Sequence, residues 1–173
     1  MENIHIFNFS RLILNTKPVA MARVRGNNLN PGLGGEVYFY PAGTGTLVLV
    51  EVMGLPRRDS DDPTKQYGPF YAFHIHEGKA CGDGGGAEPF GESGGHYNPT
   101  NKPHPEHVGD MPPLLADRGY AYLSFFTPRF KPEEVIGRTV IIHQHTEDFH
   151  TQPSGNAGTK IACGEIAAAD NRA

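Results

Sequence analysis

Nine of the 173 residues are histidines, and six of them stand in patterns that suit metal ligation. In Phe73-His74-Ile75-His76 the residues at i and i+2 share one face of an extended strand, while Phe73 and Ile75 take the other. Imidazoles so placed lie roughly 6.5–7 Å apart at Cα and can converge on one ion. Thr139–His145 repeats the logic, with Val140 and Ile142 on one face and Ile141, His143 and His145 on the other. Between these stretches stand His96, His104, His107 and Asp110, at steps of 8, 3 and 3. Three imidazoles and a carboxylate complete a tetrahedral shell for zinc, and a closed shell marks a structural site. A set of imidazoles alone suits copper as well.

Taken singly, each pattern has a plainer reading. A His-x-His pair on a strand is about as often a surface or core feature as a ligand pair, and the loop residues alone could be a solvated polar stretch. Both plain readings must hold together, which weakens them. His5, His145 and His150 are read as ordinary polar residues. Two look-alikes carry no chemistry. Gly91-Glu92-Ser93-Gly94-Gly95 has the spacing of a serine nucleophile turn, but no apolar strand precedes it and no helical pattern follows. Gly82-Asp83-Gly84-Gly85-Gly86 imitates a phosphate loop without the lysine or the strand–turn–helix context.

The elements that must position these residues read as short strands between turns. Val19–Arg25, Glu36–Tyr40, Thr46–Val52, Tyr71–His76, Tyr120–Phe126, Thr139–His145 and Lys160–Ala167 are the candidates, punctuated by Gly and Pro. Such a series predicts an all-β sandwich or barrel. Gly78–Gly119 has almost no strand pattern, and Thr146–Thr159 is a second loop. Structureless loops longer than about 12–15 residues are uncommon in compact domains unless functional, so something other than a strand ladder must hold the first one. A metal would supply that fixed geometry. Residues 1–17 read as an extension, with an added strand as its form and a leftover targeting segment as the alternative, and 169–173 as a polar tail.

Composition narrows the function classes. Fifteen basic against nineteen acidic residues leave a net charge of −4, which argues against nucleic acid as a partner. A hydrophobic fraction of 38% excludes wholesale disorder. No stretch approaches the roughly 18 apolar residues of a membrane span. At the N-terminus Glu2 and His5 stand where a signal peptide wants basic charge, and Arg11 breaks the apolar run. Cys81 and Cys163 are either two separate buried thiols or one bridge across an interval of 82 residues; in the loop-entropy view such a bridge contributes about 4–5 kcal/mol.

In order along residues 18–168, five motifs resemble those of the copper/zinc superoxide dismutases. They are Phe73-His74-Ile75-His76-Glu77, Gly95-His96-Tyr97-Asn98-Pro99, His104 with His107-Val108-Gly109-Asp110-Met111-Pro112, Gly137–His143, and Gly155–Gly164. The resemblance implies an eight-stranded Greek-key β-sandwich or flattened barrel with two long functional loops. It implies copper held by His74, His76, His96 and His143, and zinc held by His96, His104, His107 and Asp110. His96 would bridge the metals, and Cys81–Cys163 would be a disulfide tying the long loop to the last strand. The implied reaction is dismutation of superoxide to dioxygen and hydrogen peroxide. A non-catalytic copper-binding or copper-delivery domain on the same fold is the alternative. The partners implied are superoxide, a second copy of the chain and a copper donor, with neither nucleic acid nor membrane.

Three departures qualify the resemblance. Lys160 stands three residues before the second cysteine, where the family commonly has an arginine as its active-site cation. A lysine keeps the charge, loses the planar donor fork, and on its flexible stem is expected to be held less firmly. Glu147, with Asp148 beside it, stands where the family commonly has an aspartate bridging the two sites by hydrogen bonds. Cys81 lies fifteen residues before His96 across a glycine-rich insert. Residues 78–119 are expected to be ordered only with zinc and the disulfide both present. A disulfide usually points outside the cytosol, yet this family tolerates its bridge inside cells. The expected location is therefore cytoplasmic, with extracellular or periplasmic as the alternative.

Overall fold

The computed structural model describes residues 9–57 and 69–170. Among them nine strands form one antiparallel sheet: β1 (Ala20–Gly26), β2 (Gly34–Ala42), β3 (Gly45–Met53), β4 (Phe70–Tyr71), β5 (Phe73–His76), β6 (Leu114–Asp117), β7 (Tyr120–Thr127), β8 (Thr139–His143) and β9 (Lys160–Ala168). Their spatial order is β4-β6-β7-β3-β2-β1-β9-β8-β5. β4 and β5 are the two ends of that order, yet only Ala72 separates them in sequence. Chain continuity therefore draws the edges together, and the sheet closes into an all-β, nearly closed barrel.

This closure explains why nine strands stand where eight were expected. At Ala72 the chain changes partner: Phe70 and Tyr71 pair with β6, whereas the Ala72 N–H donates to the His145 carbonyl and its own carbonyl accepts from His143 N–H. Counted through that residue, β4 and β5 are the single expected strand. The interior is filled by the inward residues of the alternating strands, including Val37, Phe39, Val48, Val50, Phe73, Ile75, Val140 and Ile142. All four residues of β5 are buried. Phe73 and Ile75 go into this core, which leaves His74 and His76 on the outer face under the long loop.

Two expectations need correction. The N-terminal extension carries no strand among its described residues. It forms a short helix, α1 (Phe9–Asn15), whose Leu12 and Ile13 pack on Tyr40, Ala42 and Leu47. Leu12 and Ile13 are adjacent on a helix and can share a contact that alternation would have split. Residues 1–8 and 171–173 of the extension and tail lie outside the described residues. The stretch Gly78–Gly119 is also less bare than its composition suggests. It contains β6, which joins β7 through Arg118-Gly119, both at positive φ, the mirror-image turn that fits a twisted hairpin.

The same loop also returns along the free edge of β5. Tyr97 N–H donates to Ile75 O, Glu77 N–H to Gly95 O, Gly78 N–H to Ser93 O, and Ile75 N–H to Gly109 O. Gly109 is required for that approach, because a Cβ there would lie 2.2 Å from the Ile75 carbonyl oxygen. The Cys81–Cys163 disulfide is formed and ties the start of the loop to β9.

Candidate metal centre

β5 presents His74 and His76, β8 presents His143, and the loop folded over β5 presents His96, His104, His107 and Asp110. His143 stands at a register shift between β8 and β9, opposite Lys160; such a bulge re-aims a side chain at the end of a ladder. Two groups result, His74/His76/His96/His143 and His96/His104/His107/Asp110, each with its ligand atoms within 4.8 Å of one another. All seven side chains are buried. His96 belongs to both groups.

The hydrogen bonds around the first group decide which nitrogens are bare. His76 Nδ1 lies 2.9 Å from the Gly94 carbonyl and His143 Nδ1 3.0 Å from the Gly158 carbonyl. A carbonyl only accepts, so both Nδ1 atoms carry hydrogen and both Nε2 atoms are lone pairs. Those two Nε2 atoms face each other at 3.3 Å. His74 Nε2 lies 3.0 Å from Glu147 Oε2, which leaves its Nδ1 bare, buried and without a partner. His96 Nε2 is likewise buried and unpartnered. Lone pairs converging in a buried space repel unless a cation lies among them. A proton is disfavoured there: burial, and then the neighbouring imidazoles, push His74 and His76 well below the ordinary histidine range, and burial carries His143 down to about 4. Neutral imidazoles with bare nitrogens are the donor set that copper takes.

The second group is built round a carboxylate. His96 Nδ1 lies 2.7 Å from Asp110 Oδ1, while His104 Nδ1 and His107 Nδ1 lie 3.1 and 3.2 Å from Asp110 Oδ2. Burial alone would raise the Asp110 carboxyl, but the hydrogen bond from His96 and the fields of the three imidazoles hold it below its ordinary value. An ionised carboxylate among three imidazole nitrogens fits a zinc ion.

Glu147 spans both groups. Its Oε2 accepts from His74 Nε2–H and lies 2.9 Å from His104 Nε2, close in charge though out of line for a hydrogen bond. Burial, with the charges of Asp110 and Asp148, pushes Glu147 up to about 7. Asp148 reaches neither group. Its carboxylate accepts from the His150 and Thr151 amides and the Thr151 hydroxyl, closing a surface turn. The backbone there turns Glu147 inward and its neighbour out. Of the remaining histidines, His150 is exposed and His145 lies against Gly158 outside both groups; His5 is outside the described residues.

A cleft of about 770 Å³ reaches His76, His96 and His143 from solvent, with Lys160 and Glu88 on its walls. Lys160 is held more firmly than its flexible stem suggested. Its Nζ lies 2.9 Å from Ser93 Oγ, 3.0 Å from Gly94 O and 3.4 Å from Phe90 O.

Two further residues position the site, and sequence patterns gave no sign of them. The Gln152 side chain brackets the His104 backbone, accepting from its N–H at 3.0 Å and donating to its carbonyl at 2.8 Å. Arg129, just past β7, donates from one Nη1 to the carbonyls of Pro105, His107 and Asp110. Both contacts cross between loops far apart in sequence, where periodicity carries no signal.

Comparison with known proteins adds an independent line. Residues 33–166 match the family model described as copper/zinc superoxide dismutase. A superoxide dismutase [Cu-Zn] from Deinococcus radiodurans is 35% identical over 147 residues, covering 75% of each chain. One from Paramecium bursaria Chlorella virus 1 is 31% identical over 166 residues, covering 87% of this chain and 79% of that one. Among solved structures, a Cu/Zn superoxide dismutase from Brucella abortus is similar with a TM-score of 0.67 and 26% identity, over 84% of this chain and 98% of the other. A SOD-like protein from Bacillus subtilis is similar with a TM-score of 0.65 and 25% identity, over 84% and 96%.

Proposed function

The chain belongs to the copper/zinc superoxide dismutase family, and from that premise we propose that it dismutates superoxide at a copper ion joined through His96 to a structural zinc. The observation that carries this reading is the sharing of His96: its Nε2 points into an all-imidazole group and its Nδ1 into a group completed by a carboxylate. His74 Nδ1 and the Nε2 atoms of His76, His96 and His143 would hold copper. The Nδ1 atoms of His96, His104 and His107 with Asp110 would hold zinc. Copper, when bound, supplies one-electron chemistry: one superoxide is oxidised to dioxygen and a second is reduced, with two protons, to hydrogen peroxide.

The residues of the chain divide the rest of the work. Gly94, Gly158 and Glu147 fix the ring orientations of His76, His143 and His74 by taking the hydrogen of the nitrogen that faces away from the site. Glu147, Gln152 and Arg129 hold the zinc-side loop in register. His96 Nε2 is the nitrogen placed to hold a proton between the two half-reactions and to return it to the reduced substrate as a general acid. The substrate is an anion approaching a chain of net charge −4, so the local positive potential at Lys160 matters more than the total. A copper donor, self-association and a cytoplasmic location belong to the same proposal, and each has its own test in pull-down, sedimentation and fractionation.

Metal analysis paired with a superoxide-scavenging assay tests the reading. One copper and one zinc per chain with fast turnover is the predicted result. Copper without turnover would make the chain a copper carrier, and zinc alone would leave His74, His76 and His143 without the role assigned to them.

A further inference from the structure

Ser93 is fully buried, with 0% of its surface exposed. It sits at the end of the short turn Gly91–Ser93, and its hydroxyl makes two contacts. It donates to the Phe90 carbonyl at 2.7 Å, which leaves the oxygen's lone pairs facing the Lys160 ammonium at 2.9 Å. The next residue adds a second acceptor. Gly94 has φ 67 and ψ −152, a conformation essentially restricted to glycine. In it the Gly94 carbonyl meets both His76 Nδ1–H at 2.9 Å and Lys160 Nζ at 3.0 Å. Phe90 O, which also accepts the Ser93 amide and hydroxyl, is the third and longest acceptor, at 3.4 Å. An ammonium has three hydrogens and no more. All three therefore have acceptors within the protein, although Lys160 lines the cleft that leads to His76, His96 and His143. An arginine anchored on the same acceptors would still have N–H groups to offer a substrate.

Resting on the reading of Lys160 as the cleft's cation, we propose that Ser93 is a positioning residue for it. The buried hydroxyl completes a three-acceptor seat that fixes the ammonium at the cleft wall, so the lysine meets superoxide as a fixed charge and not as a hydrogen-bond donor. The seat also couples two parts of the site. The carbonyl that receives Lys160 is the one that orients His76, so a loosened ammonium alters the environment of that ring.

The test uses the copper(I)–zinc protein, which is diamagnetic, with lysine labelled in 15N. The Lys160 ammonium resonance is identified by its loss in Lys160→Arg, and its hydrogen exchange with water is measured. In the wild type the exchange is slow; in Ser93→Ala it becomes at least tenfold faster, and in Ser93→Thr, which keeps a hydroxyl, it returns to within about twofold. The rate with superoxide should fall two- to fivefold in Ser93→Ala with its ionic-strength slope retained, because the charge remains. In Lys160→Ala both rate and slope should fall. Azide titration of the copper(II) form should show several-fold tighter binding in Lys160→Arg, where spare donors appear. An ammonium as protected in Ser93→Ala as in the wild type overturns the seat. Unchanged azide affinity in Lys160→Arg overturns the exhaustion of donors. A Lys160→Ala protein with wild-type rate and slope overturns the steering role itself, and does so even where the resonance data support the seat.

Discussion

Replacing Glu147 by glutamine should move two properties of the protein in opposite directions. Without metal, the glutamate is a liability. It is buried across the His104 ring from Asp110 and carries a carboxyl pushed from its ordinary 4.5 up to about 7. A carboxyl raised in the folded state binds its proton more tightly there than in the unfolded chain, so stability is present below about pH 4.5 and is lost as the pH rises through 7. The span corresponds to a loss of roughly 3 kcal/mol once the group is ionised. Glu147→Gln removes the charge and keeps an oxygen that can accept from His74 Nε2–H. The metal-free, disulfide-intact variant should therefore match the wild type near pH 4.5 and exceed it by about 2–3 kcal/mol at pH 8. With metals the order reverses. The carboxylate that orients His74 at 3.0 Å and lies 2.9 Å from His104 Nε2 is gone, and loss of such a partner typically lowers metal affinity about 10- to 100-fold. Denaturant titrations at the two pH values and competition with a chelator for each metal measure both effects. A metal-free variant less stable than the wild type at pH 8, or an unchanged affinity for either metal, would refute the reasoning.

Three other outcomes follow from the same geometry. His96→Ala should lose copper chemistry and weaken zinc retention together, whereas His74→Ala should disturb copper and largely spare zinc; equal zinc loss in both, by metal analysis after dialysis, would count against a shared ligand. Gln152→Ala removes two hydrogen bonds to the His104 backbone, together worth about 1–2 kcal/mol, so zinc affinity should fall about tenfold while copper affinity holds, and parallel loss of both would contradict the positioning role. On chelation and reduction the loop should become protease-sensitive first between Lys79 and Glu92 and between Asn98 and Glu106, while β6 and the backbone bonds of Tyr97 and Gly109 to Ile75 persist; early cleavage within β6 would show that the loop has no ladder of its own after all.

The parts of the molecule that were legible in the sequence are those governed by periodicity. Alternation in Phe73–His76 put two histidines on one face because a strand has period two, and the core and the site divide β5 in that way. Alternation also located β2, β3, β7 and β9. It failed at α1, where a seven-residue helix shows too few turns to declare itself, and at β6, a four-residue strand hidden after Pro112-Pro113. The break at Ala72 follows from barrel closure and exists only in three dimensions. Glu147 was visible through family resemblance alone, since a carboxylate in a loop has no pattern. Gln152 and Arg129 act through backbone carbonyls and amides of distant loops, and Ser93 through the Lys160 ammonium at the start of β9; the identity of those partners is written in the fold rather than in neighbouring residues. The seat of Lys160 belongs with them: its stem suggested a loosely held charge, and three acceptors from residues 90–94 hold it.

The sharing of His96 is the centre of this account, and electron paramagnetic resonance tests it without reference to turnover. Copper(II) is loaded into the group of His74, His76 and His143, and cobalt(II) replaces zinc in the group of His104, His107 and Asp110. If one imidazolate joins the two ions, their spins couple and the copper signal disappears, to return at full intensity when zinc takes the place of cobalt. A full copper signal in the copper–cobalt protein, with both metals present in stoichiometric amounts, would contradict the shared ligand and with it the proposed site.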